Sequence, residues 1–389
     1  RYGHINFVRA VRDSLGVGRM TNDSEDLTKA KAILLVGSNI TETNPVVSLR
    51  IKAAIRTYKA QVIVVDSTLT NIAKLSSVPL MVKPGTERLL VQGLIKAVIT
   101  QDLVDAEATG KHPDAFAAIT RAVEGLSIET LAAQTGLSVE QIQEAAIIFA
   151  EAPRAVVICG EGVVRRTGGY EHVLTLVDLV WLTGKLGRPG CGINTVIEEA
   201  NEQGAVDMGA VPEFLPGQAR SDDQAARDKF SNAWALSLPP ADRGATLPEI
   251  LRRCRSGDIK ALYVIGENPV ATLPASFEAK AALEKLELLV VQDPFLTETA
   301  QMAHFVLPAC TFAEKDGNMT NQEGKVQRVR QGLDPAGESA TDWHILTAIA
   351  NGLGASLPYE SAQDIQAEIM KLLPGYYNLG QPYKVTPDP

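Results

Sequence analysis

Short continuous apolar runs, each closed by a polar or glycine-bearing turn, punctuate this chain. Leu288-Leu289-Val290-Val291 leads into Gln292-Asp293 and then Pro294-Phe295-Leu296-Thr297-Glu298-Thr299-Ala300. The same grammar recurs from Ala32 to Asn39, from Gln61 to Thr70 and from Lys260 to Pro269. An apolar run without alternation suits a parallel strand covered on both faces. Open α/β sheets take their ligands at the carboxyl ends of such strands. The recurrent strand-then-polar-turn unit therefore predicts a nucleotide-type cofactor along those ends.

The remaining pattern fills in the elements. Ile5, Val8, Val11 and Leu15 recur at helical spacing and Gly16 stops them. A short helix opens at Thr21-Asn22-Asp23-Ser24-Glu25-Asp26. Ala32–Val36 and Gln61–Val65 read as strands around a crossover helix at Val47–Tyr58, a right-handed parallel βαβ unit. A third strand, Pro79–Val82, runs through Pro84-Gly85-Thr86-Glu87 into a helix with Leu89, Leu90, Leu94 and Val98 on one face and Thr86 as N-cap. Residues 101–118 are small and polar and read as a surface excursion. Ser127–Thr135 and Ser138–Ala150 read as helices joined at Gly136, with Ser138 and Gln141 as a capping box. The grammar then restarts with a strand at Ala155–Ile158, the turn Gly160-Glu161-Gly162, an all-round apolar helix at Val173–Leu182 and a glycine-rich stretch at Gly184–Gly192. Residues 198–247 read as irregular. Ala261–Ile265 is a strand, followed by a helix near Ala275–Leu286 and a short strand at His304–Leu307. The tail from Gly375 has no periodicity. The expected architecture is α/β: two tandem Rossmann-like domains, each a parallel sheet with helices on both faces, at residues 1–152 and 153–312. A C-terminal segment, 313–389, is expected to pack back on the cleft.

Composition narrows the function. At 389 residues, 45% hydrophobic and 21% charged, the chain can build two full cores. A net charge of −9 argues against nucleic acid or an anionic membrane surface as the main partner. No apolar run is long enough to span a membrane. Cys159, Cys191, Cys254 and Cys310 lie far apart, with no C-x-x-C spacing, so no zinc or iron–sulfur motif is present.

Candidate binding residues sit in the turns. Gly37-Ser38-Asn39, Gly85-Thr86-Glu87, Gly162 and Gly266-Glu267-Asn268-Pro269 share one logic: glycine lets backbone approach a ligand, and a helix start beyond the turn offers N–H groups to phosphate. Taken singly, each is also what a plain turn looks like. Asp66 and Asp293 suit hydrogen bonds from a ribose or a guanine edge, and equally suit a helix N-cap. The polar stretch Gly317–Gly324, followed by Lys325, Gln327, Arg328 and Arg330, fits either a clamp on a polar cofactor or a solvated turn. His4, His112, His172, His304 and His344 are isolated in the sequence, which favours structural roles.

As an ordered set these stretches resemble the molybdopterin oxidoreductase family, on its formate dehydrogenase side. The resemblance is carried by Thr21-Asn22 with Asp26, Val36-Gly37-Ser38-Asn39 with Thr41-Glu42 and Pro45, Val65-Asp66, and Pro84-Gly85-Thr86. It continues through Leu182-Thr183-Gly184, Gly187-Arg188-Pro189-Gly190, Gly192, Asn201, Gln203-Gly204 and Asp207-Met208-Gly209. Gly266-Glu267-Asn268-Pro269, Val291-Gln292-Asp293, Phe295, Thr297-Glu298-Thr299-Ala300, Leu307-Pro308, Glu314, Asp316-Gly317, Thr320-Asn321 and Glu323 complete it. It implies tandem domains of the formate dehydrogenase/DMSO reductase type, each holding one molybdopterin guanine dinucleotide. Carried over, Gly37, Ser38, Asn39, Asp66, Gly85, Thr86 and Glu87 would serve the first dinucleotide. Gly162, Gly266, Glu267, Asn268, Pro269, Gln292, Asp293 and Thr297 would serve the second.

The departures shape the expected function. His4 matches the histidine that follows the family's metal-ligating cysteine or selenocysteine, which puts Gly3 at the ligand position. Glycine has no side chain to coordinate molybdenum or tungsten, so no metal site is expected. Asp66-Ser67-Thr68 lacks the family's following arginine, Arg165-Arg166 replaces a Gln-His pair, and Glu198-Glu199 stands where basic and amide residues are usual. This pattern resembles the G-type component of NADH-quinone oxidoreductase (bacterial complex I). That implies an electron-transfer polypeptide without its own metal chemistry, docked to other subunits and to an iron–sulfur part of the same chain, on the cytoplasmic side of a membrane complex. The start at Arg1 fits a piece of such a chain. The rivals are an active dinucleotide-dependent oxidoreductase of formate dehydrogenase type and an inert guanine-dinucleotide binding module.

Overall fold

The computed structural model describes residues 4–241 and 244–376. The chain clusters into two compact units; among the described residues, one holds 4–204 with 320–325 and the other 205–319 with 326–376.

The first unit is built on Ala32–Val36 (β1), Gln61–Asp66 (β2), Val78–Met81 (β3), Ala155–Cys159 (β4) and Gly192–Thr195 (β5). They form a five-stranded sheet in the order β3-β2-β1-β4-β5, parallel throughout. Every residue of β1 is buried, because the strand is covered on both sides. Leu34 and Val36 point into a core shared with Ile5–Leu15 (α1), Glu87–Thr100 (α3) and Gly169–Leu182 (α4) through Phe7, Leu90, Leu94, Leu176 and Leu179. Ile33 and Leu35 point the other way, to Ile51 and Ala54 of Pro45–Tyr58 (α2). Each such side chain contributes about 1.5–3 kcal/mol of burial, against the entropy of ordering it. The register pairs Val36 with Val65 and with Cys159, so β1, β2 and β4 end at one level.

The second unit carries Ala261–Ile265 (β6), Leu288–Asp293 (β7) and Phe305–Pro308 (β8), parallel and in the order β8-β7-β6. Val264, Leu289 and Val291 pack on Leu251, Cys254, Ala282 and Leu283. Ile265, Leu288 and Phe305 are exposed, so the expectation of helices on both faces holds for the five-stranded sheet alone.

Several expectations need correction. The boundary at 152/153 fails because β4 pairs with β1 along its whole length and belongs to the first sheet. Residues 101–118 lie at the surface, as expected, but are helical: Ala106–Lys111 and Pro113–Glu124 are helices, the first capped by Asp105 through Ala108 N–H. Within 198–247, Glu202–Asp207 and Gln224–Trp234 are helical, the latter capped by Asp223. The helix near Ala275–Leu286 is two short pieces, Ala275–Phe277 and Ala279–Leu283, split by Glu278 in the left-handed region. Thr86 caps no N–H; its hydroxyl donates to Lys83 O at 2.7 Å. The capping box of Ser138 and Gln141 is formed. Residues 377–389, the end of the expected C-terminal segment, lie outside the described residues.

Candidate functional site

In the first unit the strand ends bring Gly37, Ser38, Asn39 and Asp66 to one edge, with Gly160 and Gly162 beside them. Two of the glycines serve each other. Gly162 N donates to Gly37 O at 3.1 Å, and a Cβ on Gly160 would lie 2.2 Å from Gly37 O. These turns touch backbone to backbone, which accounts for glycine at 160 and 162 without a ligand. Ser38 is buried, and Asn39 accepts from Thr41 Oγ1 at 3.2 Å. Asp66 forms a local turn, its Oδ1 accepting from Thr68 N at 2.9 Å and from Thr68 Oγ1 at 3.0 Å. Gly85 has a positive φ of 86°, and the nearest atom to a Cβ there would be Arg166 Nη1 at 4.0 Å. Glu87 is buried; it accepts from Gly85 N at 3.3 Å and faces Arg166 Nη1 at 3.5 Å.

His4 is fully buried. Its N–H donates to Glu202 Oε1 at 2.8 Å, and its Nε2 lies 3.1 Å from Gln203 Oε1. Gln203 Nε2 is already given to Gly18 O at 3.1 Å, so the Gln203 oxygen accepts and His4 carries a proton on Nε2. Nδ1 is left 3.6 Å from Glu202 Oε1. Burial pushes the Glu202 carboxyl up, but the His4 ring, the His4 N–H and Arg165 outweigh it and hold it below the usual carboxylate range. Arg165 pairs with Glu161 at 3.0 Å and with Glu199, and Glu161 also accepts from Glu198 N at 2.9 Å. Burial raises the Glu161 carboxyl despite those partners. Sequence reasoning missed Glu202 and this network; the spacing of Glu161 and Arg165, one helical turn apart, was the available signal.

The polar stretch read as either a cofactor clamp or a solvated turn ties the first unit together at 320–325. Thr320 N donates to Asn201 Oδ1 at 2.8 Å, Ser24 N to Glu323 Oε1 at 2.9 Å, and Lys325 reaches Asp23 at 3.0 Å.

In the second unit the expected residues do gather at the ends of β6 and β7, and they bond to one another. Asn268 Oδ1 accepts from Thr299 Oγ1 at 2.7 Å, and Asn268 Nδ2 donates to Glu298 at 2.7 Å. Glu267 accepts from Thr272 Oγ1 at 3.0 Å, Asp293 from Phe295 N at 2.8 Å, and Thr297 from Ala300 N at 3.1 Å. Pro269 opens the short helix Pro269–Thr272. Gln292 is fully buried: its oxygen accepts from Tyr263 Oη and its amide donates to Asp342 at 2.7 Å. Asp342 is held in turn by Lys315. Gly266 stands open, with φ of 59° and no atom within 4 Å of where a Cβ would lie.

Backbone is bare at Gly266 and Gly85, where no atom lies closer than 4.0 Å to the place of a Cβ. The metal is a separate matter. The expected ligand position, Gly3, lies outside the described residues. Among the described residues no group of three or more His, Cys, Asp or Glu side chains is arranged to hold a metal ion, and no helix is long and apolar enough to cross a membrane.

Comparison with known proteins gives the family. The profile described as molybdopterin oxidoreductase matches residues 3–352. The F420-dependent formate dehydrogenase subunit alpha of Methanocaldococcus jannaschii is 37% identical over 378 residues, 97% of this chain and 55% of that protein. Formate dehydrogenase H of Escherichia coli is 32% identical, over 97% of this chain and 53% of its own length. The NADPH-Fe(3+) oxidoreductase subunit alpha of Geobacter sulfurreducens is 32% identical, over 98% and 44%. The chain thus spans about half the length of the curated relatives it matches. Among solved structures, acetylene hydratase from Pelobacter acetylenicus superposes with a TM-score of 0.74 over 95% of this chain and 53% of that one, at 18% identity, a likeness of fold. These relatives do not carry the narrower expectation of a G-type component of complex I. The chain belongs to the molybdopterin oxidoreductase family, on the side of the formate dehydrogenase alpha subunits.

Proposed function

We propose that this chain is the cofactor-binding region of the large subunit of a formate dehydrogenase-type oxidoreductase, and that it takes molybdopterin guanine dinucleotide at the carboxyl ends of its parallel sheets. The observation that carries this reading is the bare backbone of Gly266 at the end of β6, beside Asn268 and Asp293. Gly85, Asp66 and Asn39 would hold the corresponding dinucleotide of the first unit. The cofactor would supply two-electron redox chemistry. The chain's own residues bind and orient it: backbone N–H groups at the turns for phosphate, and carboxylates at the strand ends for ribose or base. The subunit names of the relatives favour work within a multi-subunit assembly.

A second reading is favoured by Gly3: an electron-transfer polypeptide of the complex I G type, which keeps the fold and lacks metal chemistry of its own. One experiment separates the readings. The protein is analysed for molybdenum and tungsten by mass spectrometry and for pterin by fluorescence after acid oxidation, and formate-dependent dye reduction is measured. Near-stoichiometric metal with pterin and dye reduction supports the first reading. Pterin without metal supports an inert dinucleotide-binding module. Absence of both leaves the second reading and overturns the first.

A further inference from the structure

The three-stranded sheet of the second unit is covered on one face and bare on the other. On the covered face Leu262, Val264, Leu289 and Val291 meet Leu251, Ala282 and Leu283. The alternate positions make the bare face, and the register fixes its rows. Tyr263 lies beside Val290 and Val290 beside Phe305; Ile265 lies beside Gln292 and Gln292 beside Leu307. Gln292 is roofed by Tyr263 and Asp342. Ile265, however, is 45% exposed, Leu288 38% and Phe305 61%. Parallel sheets are buried on both faces, and an exposed patch of neighbouring apolar side chains marks an interaction surface.

Topology explains why this face is bare. The order β8-β7-β6 means that the chain advances one strand at a time in a single direction. Right-handed crossovers made in one direction all fall on one face. The β6-to-β7 connection, with Ala279, Ala282 and Leu283, and the β7-to-β8 connection, with Ala300, pack on the same side as Val291 accordingly. A crossover helix reaches the other face only when strands are added outward from β6, in the opposite direction, which is how a doubly wound sheet covers itself. The two edges agree with this. Beside β8, Ala340 N–H donates to Pro308 O at 3.1 Å and Cys310 N–H to Ala340 O at 2.9 Å. Among the described residues, no strand pairs with the outer edge of β6. Such an edge is a template for another strand.

We propose that a parallel strand-and-helix segment docks on this unit. Its strand pairs with the free edge of β6, and its helix lays an apolar stripe on Ile265, Leu288 and Phe305. The occupant is a stretch of the same polypeptide outside these 389 residues. The relatives have room for one: the match takes in 97% of this chain but 55% of the Methanocaldococcus jannaschii subunit and 53% of formate dehydrogenase H, and a strand–helix–strand unit needs about 30 residues. A second copy fits less well, because two β6 edges related by a two-fold axis run antiparallel and bring no helix to the bare face. The proposal stands or falls independently of dinucleotide binding.

The test is photo-crosslinking in the protein as its source makes it, with Phe305 or Ile265 replaced by p-benzoylphenylalanine. Irradiation, proteolysis and mass spectrometry identify what lies on the face. The expected product has monomer mass and joins either position to a peptide of the same polypeptide, outside the 389 residues, with apolar residues at helical spacing. A product of dimer mass, a product with a different protein, or no product overturns the proposal. A companion measurement uses the 389-residue chain alone. There Phe305→Lys with Ile265→Lys should lower bis-ANS fluorescence about threefold and leave the circular dichroism spectrum unchanged, because the face is open. In the natural protein the same pair should lower the melting temperature. Unchanged dye binding, or unfolding of the chain alone, would show that the face is not open and also overturns the proposal.

Discussion

Two charged clusters of the first unit, only one residue apart in sequence, differ in how completely their polar groups are used. Around His4 and Arg165, three carboxylates (Glu161, Glu199 and Glu202) surround one guanidinium. Hydrogen bonds from Glu198 N to Glu161 and from His4 N to Glu202 absorb part of the charge. Around Arg166, two guanidiniums (its own and that of Arg88) and an uncapped helix start face a single buried carboxylate, and the ring nitrogen of His172 is unfilled. The first cluster is closed on itself and repels an anion; the second is short of an anion.

The largest test of this contrast lies at the glycine contact between the turns. Gly160→Ala places a Cβ against the Gly37 carbonyl. It should cost about 3 kcal/mol or more by forcing the two turns apart, measured by urea denaturation followed by circular dichroism. A loss under 1 kcal/mol would show that the two turns are not rigidly apposed.

Acid should strike the basic cluster next. The folded pKa of His172, near 4, lies below its ordinary value of 6.5. The unfolded chain therefore takes up the proton first. Stability is full above about pH 6.5 and falls as pH drops toward 4, by up to about 3 kcal/mol from this group. Denaturation at intervals from pH 7 to 4 should show the slope, and His172→Gln should flatten it.

Within the acidic cluster, Glu202→Ala strands the buried His4 N–H and should cost about 2 kcal/mol. Arg166→Ala, at a half-exposed pair, should change stability by less than about 1 kcal/mol. Chemical denaturation of the two variants side by side reads the contrast directly. Equal losses would mean that both clusters are structural.

Much of the fold could be read from the chain. The runs Ala32–Val36, Gln61–Val65, Ala261–Ile265 and Leu288–Val291 are strands because an unbroken apolar run has to be covered on both sides or packed into a core. The capping box at Ser138 was visible because it is local. The helices at Ala106–Lys111 and Gln224–Trp234 were hidden by small and polar residues, although Asp105 and Asp223 cap them. At the site, Gly37, Asp66, Gly85, Gly266, Asn268 and Gln292 were legible as turn residues at strand ends. Their hydrogen bonds were not legible. Gln292 bonds Tyr263 and Asp342, partners 29 and 50 residues away.

By itself the sequence determined the α/β class, the strand cores, the glycine turns and the family resemblance, because each is written in local periodicity or in ordered motifs. Only the tertiary structure decided that β4 joins the first sheet, that Glu202 closes on His4, and that Arg165 is spent on Glu161 and Glu199 while Arg166 stays half exposed beside Glu87. Those outcomes depend on which distant groups meet. Pairing across a sheet and the desolvation of a charge are set by neighbours in space, not in sequence.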